Sequence, residues 1–250
     1  MDKQKIETYS QFSKNYNLLA FSTTRSTFSE NELPRFTGEP AEKVKQNRAR
    51  LAAVLEIQSE QLVFPRQTHT NCVADLDRVP ENEITETDAL VTNQPGICLC
   101  VQTADCVPVL LFDPGNRVVA AIHAGWRGTV KKIAEAAVLK MQKKYHSNPE
   151  NILAAIGPSI GPEVYEVGSE VVEEVRKNLP FPDKMLQKNK SGKFHFNLWE
   201  ANRRILIAAG FQERNIEVSE ECTFQEESKY YSARREGIQT GRIVSGIMLI

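Results

Sequence analysis

Residues 96–124 read GICLCVQTADCVPVLLFDPGNRVVAAIHA, and this stretch predicts the centre of the fold. Its three apolar runs, at 96–103, 107–113 and 117–124, are predicted strands. The runs are apolar on both alternating faces, which is typical of strands buried between two layers. Asp113-Pro114-Gly115-Asn116 is a strong turn sequence, so the last two strands are predicted to form a hairpin.

The flanking sequence predicts helices outside these strands. An amphipathic pattern predicts a helix over 41–56, and a second helical pattern begins near 126–129. Further predicted elements are strands at 17–24, 61–68, 87–93 and 151–157, a rigid Gly- and Pro-rich loop at 157–168, helices at about 169–178 and 198–209, and a closing core strand at 241–250. We expect a mixed α/β (α+β) fold with central packed β-sheets and helices on the outside. A single domain over 1–250 is expected, with residues 1–17 as a peripheral N-terminal extension.

Composition and charge favour small-molecule partners. The chain has 250 residues, of which 41% are hydrophobic, and 31 Lys and Arg against 32 Asp and Glu give a formal net charge of -1. No overall field favours nucleic acid or an anionic membrane. The N-terminal sequence has no apolar signal core and no stretch is long and apolar enough to span a bilayer, so a cytoplasmic location is expected. Three of the five cysteines crowd into 98–106, which does not resemble a disulfide framework.

His69, Cys106 and His123 are the candidate metal ligands. The contexts are Arg66-Gln67-Thr68-His69-Thr70, Thr103-Ala104-Asp105-Cys106-Val107-Pro108 and Ile122-His123-Ala124-Gly125-Trp126-Arg127-Gly128. Structural zinc sites usually bring their ligands in close pairs, whereas three dispersed ligands fit a catalytic site whose fourth position stays open. Zn2+ is the expected ion and Cu2+ is the alternative. The residues alone leave two other interpretations open: ordinary hydrogen-bonded histidines, and a metal-free pair with Cys106 as nucleophile.

Two further features lie beside these ligands. His123 is predicted at a strand end that faces a helix start, where unpaired backbone N–H groups favour an anion. Asp105 precedes Cys106 and could relay a proton or orient a ligand, although an aspartate that caps a turn is an equal alternative.

Six motifs of this sequence resemble, in their order and spacing, the motifs of the YfiH-like family. They are RQTHT, TDALVT, QTADCVPVLLFDP, AAIHAGWRGTV, IGPSIGPEVYEVG and YYSARREGIQTGR. The family is also called the laccase-domain proteins, the peptidoglycan-editing factors and the purine nucleoside phosphorylases of this fold. The resemblance covers roughly residues 18 to 250, and ADC-x-P followed by HAGWRG is its most specific part.

The resemblance implies a YfiH-like fold and the metal ligands His69, Cys106 and His123. Three places in the sequence depart from the usual family motifs. Ser22-Thr23-Thr24-Arg25-Ser26-Thr27-Phe28-Ser29 keeps Arg25 but lacks two glycines, Thr70 stands in place of a glycine, and the second cysteine that often follows Cys222 is missing. None of these changes touches a proposed ligand.

The activity implied by the resemblance is purine-nucleoside chemistry. It comprises phosphorolysis of adenosine, inosine and methylthioadenosine, together with hydrolytic deamination of adenosine, and its partners are purine nucleosides and inorganic phosphate. Phosphorolysis requires a cationic phosphate cradle. The candidates for this cradle are Arg25, Arg66, Arg127, Arg234 and Arg235, with Arg242.

Three rival functions remain. A Cys-His hydrolase would use Cys106 as nucleophile with His69 or His123 as base. A peptidoglycan-precursor-editing role would use the same pocket for a cell-wall intermediate. A multicopper polyphenol oxidase is disfavoured, because its copper clusters need more than the four histidines present and at most one His₂Cys copper site could form.

Overall fold

The computed structural model describes residues 6–13, 17–28, 32–38 and 40–250. Its strands are β1 (Ile6–Glu7), β2 (Leu18–Thr23), β3 (Leu62–Val63), β4 (Val73–Asp75), β5 (Ala89–Thr92), β6 (Cys98–Thr103), β7 (Val107–Asp113), β8 (Val118–Ala124), β9 (Leu153–Ile156), β10 (Glu166–Val167), β11 (Leu186–Lys188), β12 (Phe194–Phe196), β13 (Ile216–Val218) and β14 (Ile243–Leu249). Its α-helices are α1 (Ala41–Leu55), α2 (Trp126–Val130), α3 (Ile133–Tyr145), α4 (Ser169–Asn178), α5 (Leu198–Ala208) and α6 (Ala233–Glu236).

Two large sheets pack face to face in the middle of the protein. The five-stranded sheet has the order β1-β2-β14-β6-β3, the six-stranded sheet has the order β13-β9-β7-β8-β5-β4, and β10, β12 and β11 form a small third sheet. Leu99 and Ile247 of the first sheet share one buried cluster with Leu110 and Phe112 of the second. Burial between layers therefore explains why the central strands are apolar on both faces.

Helices cover the outer face of each large sheet. Leu51 and Leu55 of α1 pack with Phe21 and Cys98 of the first sheet. On the second sheet, Val109 and Leu111 of β7 pack in one cluster with Ala137 of α3. The predicted fold class, mixed α/β with central sheets and outer helices, is confirmed.

The β7–β8 hairpin forms as the sequence predicts. Val107 pairs with Ala124 and Asp113 pairs with Val118 in an antiparallel register. The Asp113 carboxylate accepts the backbone N–H groups of Gly115 at 2.9 Å and Asn116 at 3.2 Å, which closes the turn. The C-terminal strand β14 is also confirmed, and lies between β2 and β6.

Two predicted elements are shorter than expected. The strand predicted over 61–68 is reduced to Leu62–Val63, and Pro65, which has no N–H to donate, makes only an isolated bridge to Ile84. The helix predicted from 126–129 is divided into α2 and α3 at Lys132, which has φ of 56°. Val130 and Ile133 both pack in the same core cluster, so the apolar spacing does not reveal the break.

The described part of the N-terminal segment packs against the first sheet. Strand β1 pairs with β2, and the side chains of Ile6, Tyr9 and Phe12 are buried. Tyr9 Oη lies 2.6 Å from Ser22 Oγ. This packing corrects the expectation of a peripheral extension for 6–13, a segment too short for its three apolar side chains to establish a helical or strand pattern; residues 1–5 and 14–16 lie outside the described ranges.

No helix in the described ranges combines the length and the apolar character that a membrane crossing requires.

Candidate metal centre

The structure brings His69, Cys106 and His123 together from three different elements. Cys106 lies in the turn between β6 and β7, where the chain crosses from the first large sheet to the second. His123 lies near the end of β8, opposite Pro108 of β7. His69 lies in the loop between β3 and β4. One possible ligand atom from each residue lies within 4.8 Å of the others.

The separations of these atoms are compatible with a small, tetrahedrally coordinated ion. Cys106 Sγ lies 3.9 Å from His69 Nε2, whereas a thiolate sulfur and an imidazole nitrogen bound to one tetrahedral Zn2+ are about 3.5 Å apart. The His69 and His123 rings meet edge to face, with centroids 4.9 Å apart. A thiolate and two imidazoles are also the donors that zinc and copper accept. The donor set therefore fits a metal ion, and exposed His69 leaves the site accessible from solvent.

Asp88 fixes both histidines of the triad. Its Oδ1 atom lies 2.7 Å from His123 Nδ1 and accepts the His69 backbone N–H at 3.0 Å. The same carboxylate accepts the backbone N–H groups of Thr68 and Thr70. Because Nδ1 of His123 is occupied in this way, its Nε2 atom is left for an ion. This is the carboxylate–histidine arrangement that orients metal ligands in many proteins.

Asp88 is a functional residue that sequence reasoning missed. It is fully buried, and burial raises the pKa of its carboxyl, but the hydrogen bond and charge of His123 and the bonds from Thr70 outweigh burial and hold the pKa well below its usual range. One signal was available, since Asp88 is an acidic residue at the start of the apolar strand β5. The pairing of Ala89 with Ile122 then places it next to His123.

Cys106 and His123 stabilise each other's charged forms. Burial raises the pKa of the Cys106 thiol, but the charge and hydrogen bond of His123, with a contribution from His69, lower it to about 6. Burial lowers the pKa of His123, but the charge of Cys106 and the hydrogen bond with Asp88 raise it to about 9. In the metal-free protein at neutral pH, the pair is therefore a thiolate and an imidazolium.

Gly125 lets the β8–α2 junction approach the triad closely. A Cβ atom at this position would lie 2.9 Å from Cys106 Sγ and 2.9 Å from His69 Cδ2. Real Cβ atoms essentially never show contacts this short, so a side chain at residue 125 would displace two ligands.

Gln67 ties the His69 loop to the strand that leads to Cys106. Its side-chain Nε2 donates to the Gln102 carbonyl oxygen at 2.8 Å, and its Oε1 accepts the Gln102 N–H at 2.8 Å. The amide thus takes the place of a neighbouring strand at the edge of β6, where strand β3 has already ended.

The Asp105 carboxylate bonds to the C-terminal part of the chain. The residue has φ of 88°, and its carboxylate accepts the Thr223 hydroxyl at 2.8 Å and the Arg234 backbone N–H at 2.7 Å. These bonds fix the Cys106 turn against residues 223–234. The proton relay predicted for Asp105 stays a prediction.

Three of the candidate arginines are engaged elsewhere. Arg235 donates to the carbonyl oxygens of Thr223 and Tyr230. Arg25 pairs with Glu236, and its guanidinium lies 4.4 Å from the centroid of the Tyr231 ring. Arg66 is exposed and lies 3.6 Å from Glu83. The donors of Arg25 and Arg235 are therefore largely committed to contacts within the protein, whereas Arg66 makes one long ion pair at the surface.

Arg234 and Arg127 each lie against a half-buried aromatic ring, those of Tyr165 and Trp126. The Arg234 guanidinium lies 5.2 Å from the centroid of the Tyr165 ring, and that of Arg127 lies 4.3 Å from Trp126. Burial and the charges of Cys106 and Asp105 raise the pKa of Tyr165, while those of Arg234 and Arg127 partly oppose the shift. Tyr165 is thus within electrostatic reach of Cys106, a proximity that its Gly- and Pro-rich sequence context does not reveal.

Comparison with known proteins relates this chain to a family of enzymes. The sequence model of the family described as multi-copper polyphenol oxidoreductase laccase matches residues 20–250. A purine nucleoside phosphorylase of Bacteroides thetaiotaomicron is 40% identical in an alignment 256 positions long, gaps included, that covers 96% of this chain and 95% of the relative. A protein named adenosine deaminase RL5, from an unknown prokaryotic organism, is 41% identical over 243 residues, which cover 91% of this chain and 92% of that protein.

The fold agrees with this relationship. The crystal structure of YlmD from Geobacillus stearothermophilus superposes with a TM-score of 0.90 at 31% sequence identity, covering 100% of this chain and 97% of that one. The family match, the identities and the shared fold extend over nearly the whole chain. This protein therefore belongs to the laccase-like family that contains the YfiH and YlmD proteins.

Proposed function

We propose that this protein is a zinc-dependent enzyme of purine nucleosides. It splits adenosine, inosine or methylthioadenosine with phosphate into the free base and the sugar 1-phosphate, and it deaminates adenosine to inosine. The observation that carries the proposal is the convergence of His69, Cys106 and His123 within 4.8 Å, with His123 oriented by Asp88. The names of the relatives, purine nucleoside phosphorylase and adenosine deaminase, supply the substrate class.

The two reactions require different groups. Deamination needs an activated water that attacks C6 of adenine, whereas phosphorolysis needs stabilisation of phosphate and of a cationic sugar. A zinc ion held by the triad would lower the pKa of a bound water towards neutrality and act as a Lewis acid. Asp88 would hold His123 in one tautomer, and Gly125 would keep the space around Cys106 Sγ free.

Aromatic and cationic side chains beside the triad suit a purine nucleoside. Trp126 and Tyr165 are half-buried rings, and each has an arginine against it, Arg127 at 4.3 Å and Arg234 at 5.2 Å from the ring centroids. The two arginines add positive charge close to the Cys106 turn. Because Phe196 also stacks on Tyr165, with centroids 6.4 Å apart, Trp126 is the ring to which we assign the purine.

The first experiment combines metal analysis with identification of the products. Purified protein is expected to contain about one zinc per chain and to convert adenosine and phosphate to adenine and ribose 1-phosphate. Cys106→Ala should lose zinc and turnover together, whereas Cys72→Ala, which removes an exposed cysteine outside the triad, should keep both. Full turnover by the Cys106→Ala variant would contradict the proposal.

A Cys-His hydrolase is the second candidate, because the Cys106 pKa is lowered to about 6 next to His123. The same thiolate would serve as a nucleophile if no metal were present. A metal-free protein that is fully active, and that iodoacetamide inactivates, would establish this candidate in place of the zinc enzyme.

The remaining alternatives differ in substrate. A screen of nucleosides against muramyl-amino-acid precursors separates nucleoside chemistry from cell-wall editing. A polyphenol oxidase requires clusters of several copper ions. Among the described residues, the triad is the one group of His, Cys, Asp and Glu side chains placed to hold a metal ion.

A further inference from the structure

Two arginines, Arg35 and Arg242, converge on a single carbonyl group. Arg35 Nη2 donates to the Ile238 carbonyl oxygen at 2.6 Å, and Arg242 Nη2 donates to the same oxygen at 2.9 Å. The backbone fixes this approach, since the Arg242 N–H donates to the Pro34 carbonyl oxygen at 2.9 Å. The two guanidinium groups therefore lie side by side.

This pair of charges has no carboxylate partner within the described ranges. Each group bonds only to carbonyl oxygens and, for Arg35, to the Gln239 amide at 3.4 Å. The neighbouring Arg25 and Arg235 both reach Glu236. Burial and the charge of Arg35 lower the pKa of Arg242 to about 10. Two adjacent, half-buried positive charges are the arrangement that an anion between them would stabilise.

The pair lies beside the triad. Ile243 pairs with Thr103, which places Arg242 next to the beginning of the turn that carries Cys106. The charges of Cys106 and Asp105 act on Arg242, which requires that these groups are near one another.

We propose that Arg35 and Arg242 form the phosphate-binding subsite of this enzyme. The inference rests on the proposed phosphorolysis, but it assigns phosphate to a pair that includes Arg35, which the sequence motifs do not single out. Guanidinium groups match the oxygens of phosphate in a bidentate geometry. Arg25 and Arg235 both pair with the Glu236 carboxylate and Arg66 lies 3.6 Å from that of Glu83, whereas the described partners of Arg35 and Arg242 are neutral oxygens.

The subsite would deliver phosphate to the sugar carbon of the nucleoside. An oxygen of hydrogen phosphate forms a bond to C1′ of the ribose, and the C1′–N9 bond breaks with its electron pair going to the purine. The proton of hydrogen phosphate goes to the purine, so that base and ribose 1-phosphate are the only products. Arg35 and Arg242 hold the phosphate and remain charged throughout.

Kinetic analysis of two variants tests the subsite. Zinc-loaded Arg35→Gln and Arg242→Gln are each expected to raise the KM for phosphate by at least about tenfold, with a much smaller change in the KM for the nucleoside. Arg242→Lys should lie between wild type and Arg242→Gln, because lysine keeps the charge but loses the fork of donors. Arg203→Gln, which removes a surface ion pair with Glu213, is the control and should leave both constants unchanged.

Calorimetric titration with inorganic phosphate separates this inference from the proposed function. Wild-type protein should bind phosphate, and both glutamine variants should bind it at least about tenfold more weakly. Unchanged phosphate binding in the variants, or no phosphate binding by wild type, would overturn the subsite even if nucleosides are substrates. Phosphate binding that is lost in the variants of a protein that does not split nucleosides would support the subsite and reject the phosphorylase.

Discussion

At the residue scale, a single buried carboxylate organises the candidate metal centre. Asp88 accepts hydrogen bonds from the backbone of the His69 loop and from the His123 ring. It thereby sets the backbone conformation of His69, whose φ is 61°, and the tautomer of His123. Two ligands from distant parts of the chain thus depend on one residue that is not a ligand.

Replacing Asp88 should weaken the metal site without removing a ligand. Asp88→Asn is expected to lower zinc affinity about 10- to 100-fold, because the amide cannot accept both the His123 N–H and the three loop N–H groups as the carboxylate does. Competition with a chromophoric chelator measures the affinity. Asp113→Asn changes another buried aspartate, in the β7–β8 turn, and should leave zinc affinity unchanged. Equal affinities of Asp88→Asn and wild type would refute the role of Asp88.

The charge state of Cys106 provides a second residue-scale prediction. In metal-free protein, the rate of Cys106 alkylation by iodoacetamide should rise with pH around a midpoint of about 6, because His123 stabilises the thiolate. Mass spectrometry of the Cys106 peptide measures the rate. Bound zinc should protect the thiol, and Asp88→Asn, which removes one of the two partners that keep His123 charged, should shift the midpoint upward. A midpoint near the usual value of about 8.5 would contradict the ion pair.

At the element scale, the site lies where strands end and the chain changes layer. The turn after β6 carries Cys106 from the five-stranded to the six-stranded sheet, and the end of β8 carries His123 into α2. The His69 loop lacks a strand of its own and is held by the Gln67 side chain on Gln102. The positions of the ligands therefore follow from strand register and from the two hydrogen bonds of the Gln67 side chain with Gln102.

The junction of β8 and α2 predicts a strict requirement for glycine. Gly125→Ala is expected to abolish stoichiometric zinc binding, because its Cβ would meet Cys106 Sγ and His69 Cδ2 at 2.9 Å. Gly115→Ala is the matched control, since its Cβ would meet only an Asp113 carboxylate oxygen at 3.3 Å. Metal content after dialysis, with circular dichroism as a check of folding, distinguishes the two. A folded Gly125→Ala variant that keeps its zinc would contradict the requirement for glycine at this position.

At the scale of the whole molecule, two packed sheets with helices on their outer faces hold the elements that carry the triad. Most of this architecture could be predicted from sequence. Runs such as 107–113 and 117–124 are apolar on both faces, and the sequence between them, Asp113-Pro114-Gly115-Asn116, strongly favours a turn. The early end of the strand predicted over 61–68 was missed although Pro65, which has no N–H to continue a ladder, marks it in the sequence. The helix break at Lys132 could not be predicted, because Val130 and Ile133 on either side of it pack in the same apolar cluster.

Much less of the site follows from sequence. The motifs suggested His69, Cys106 and His123, and their chemistry suggested a metal. Asp88, Tyr165 and Arg35 lie near these ligands or near Arg242 only through strand register and loop packing. Such contacts depend on residues far apart in the chain, which no local pattern records.

The central claim is that the triad holds a zinc ion on which nucleoside chemistry depends. The most direct test follows adenosine and inorganic phosphate over the same protein as purified, after chelation, and after return of stoichiometric zinc. We predict that adenine and ribose 1-phosphate, together with inosine from deamination, form with the purified protein, cease after chelation and return with zinc. Full activity of the protein verified to be metal-free would contradict this account.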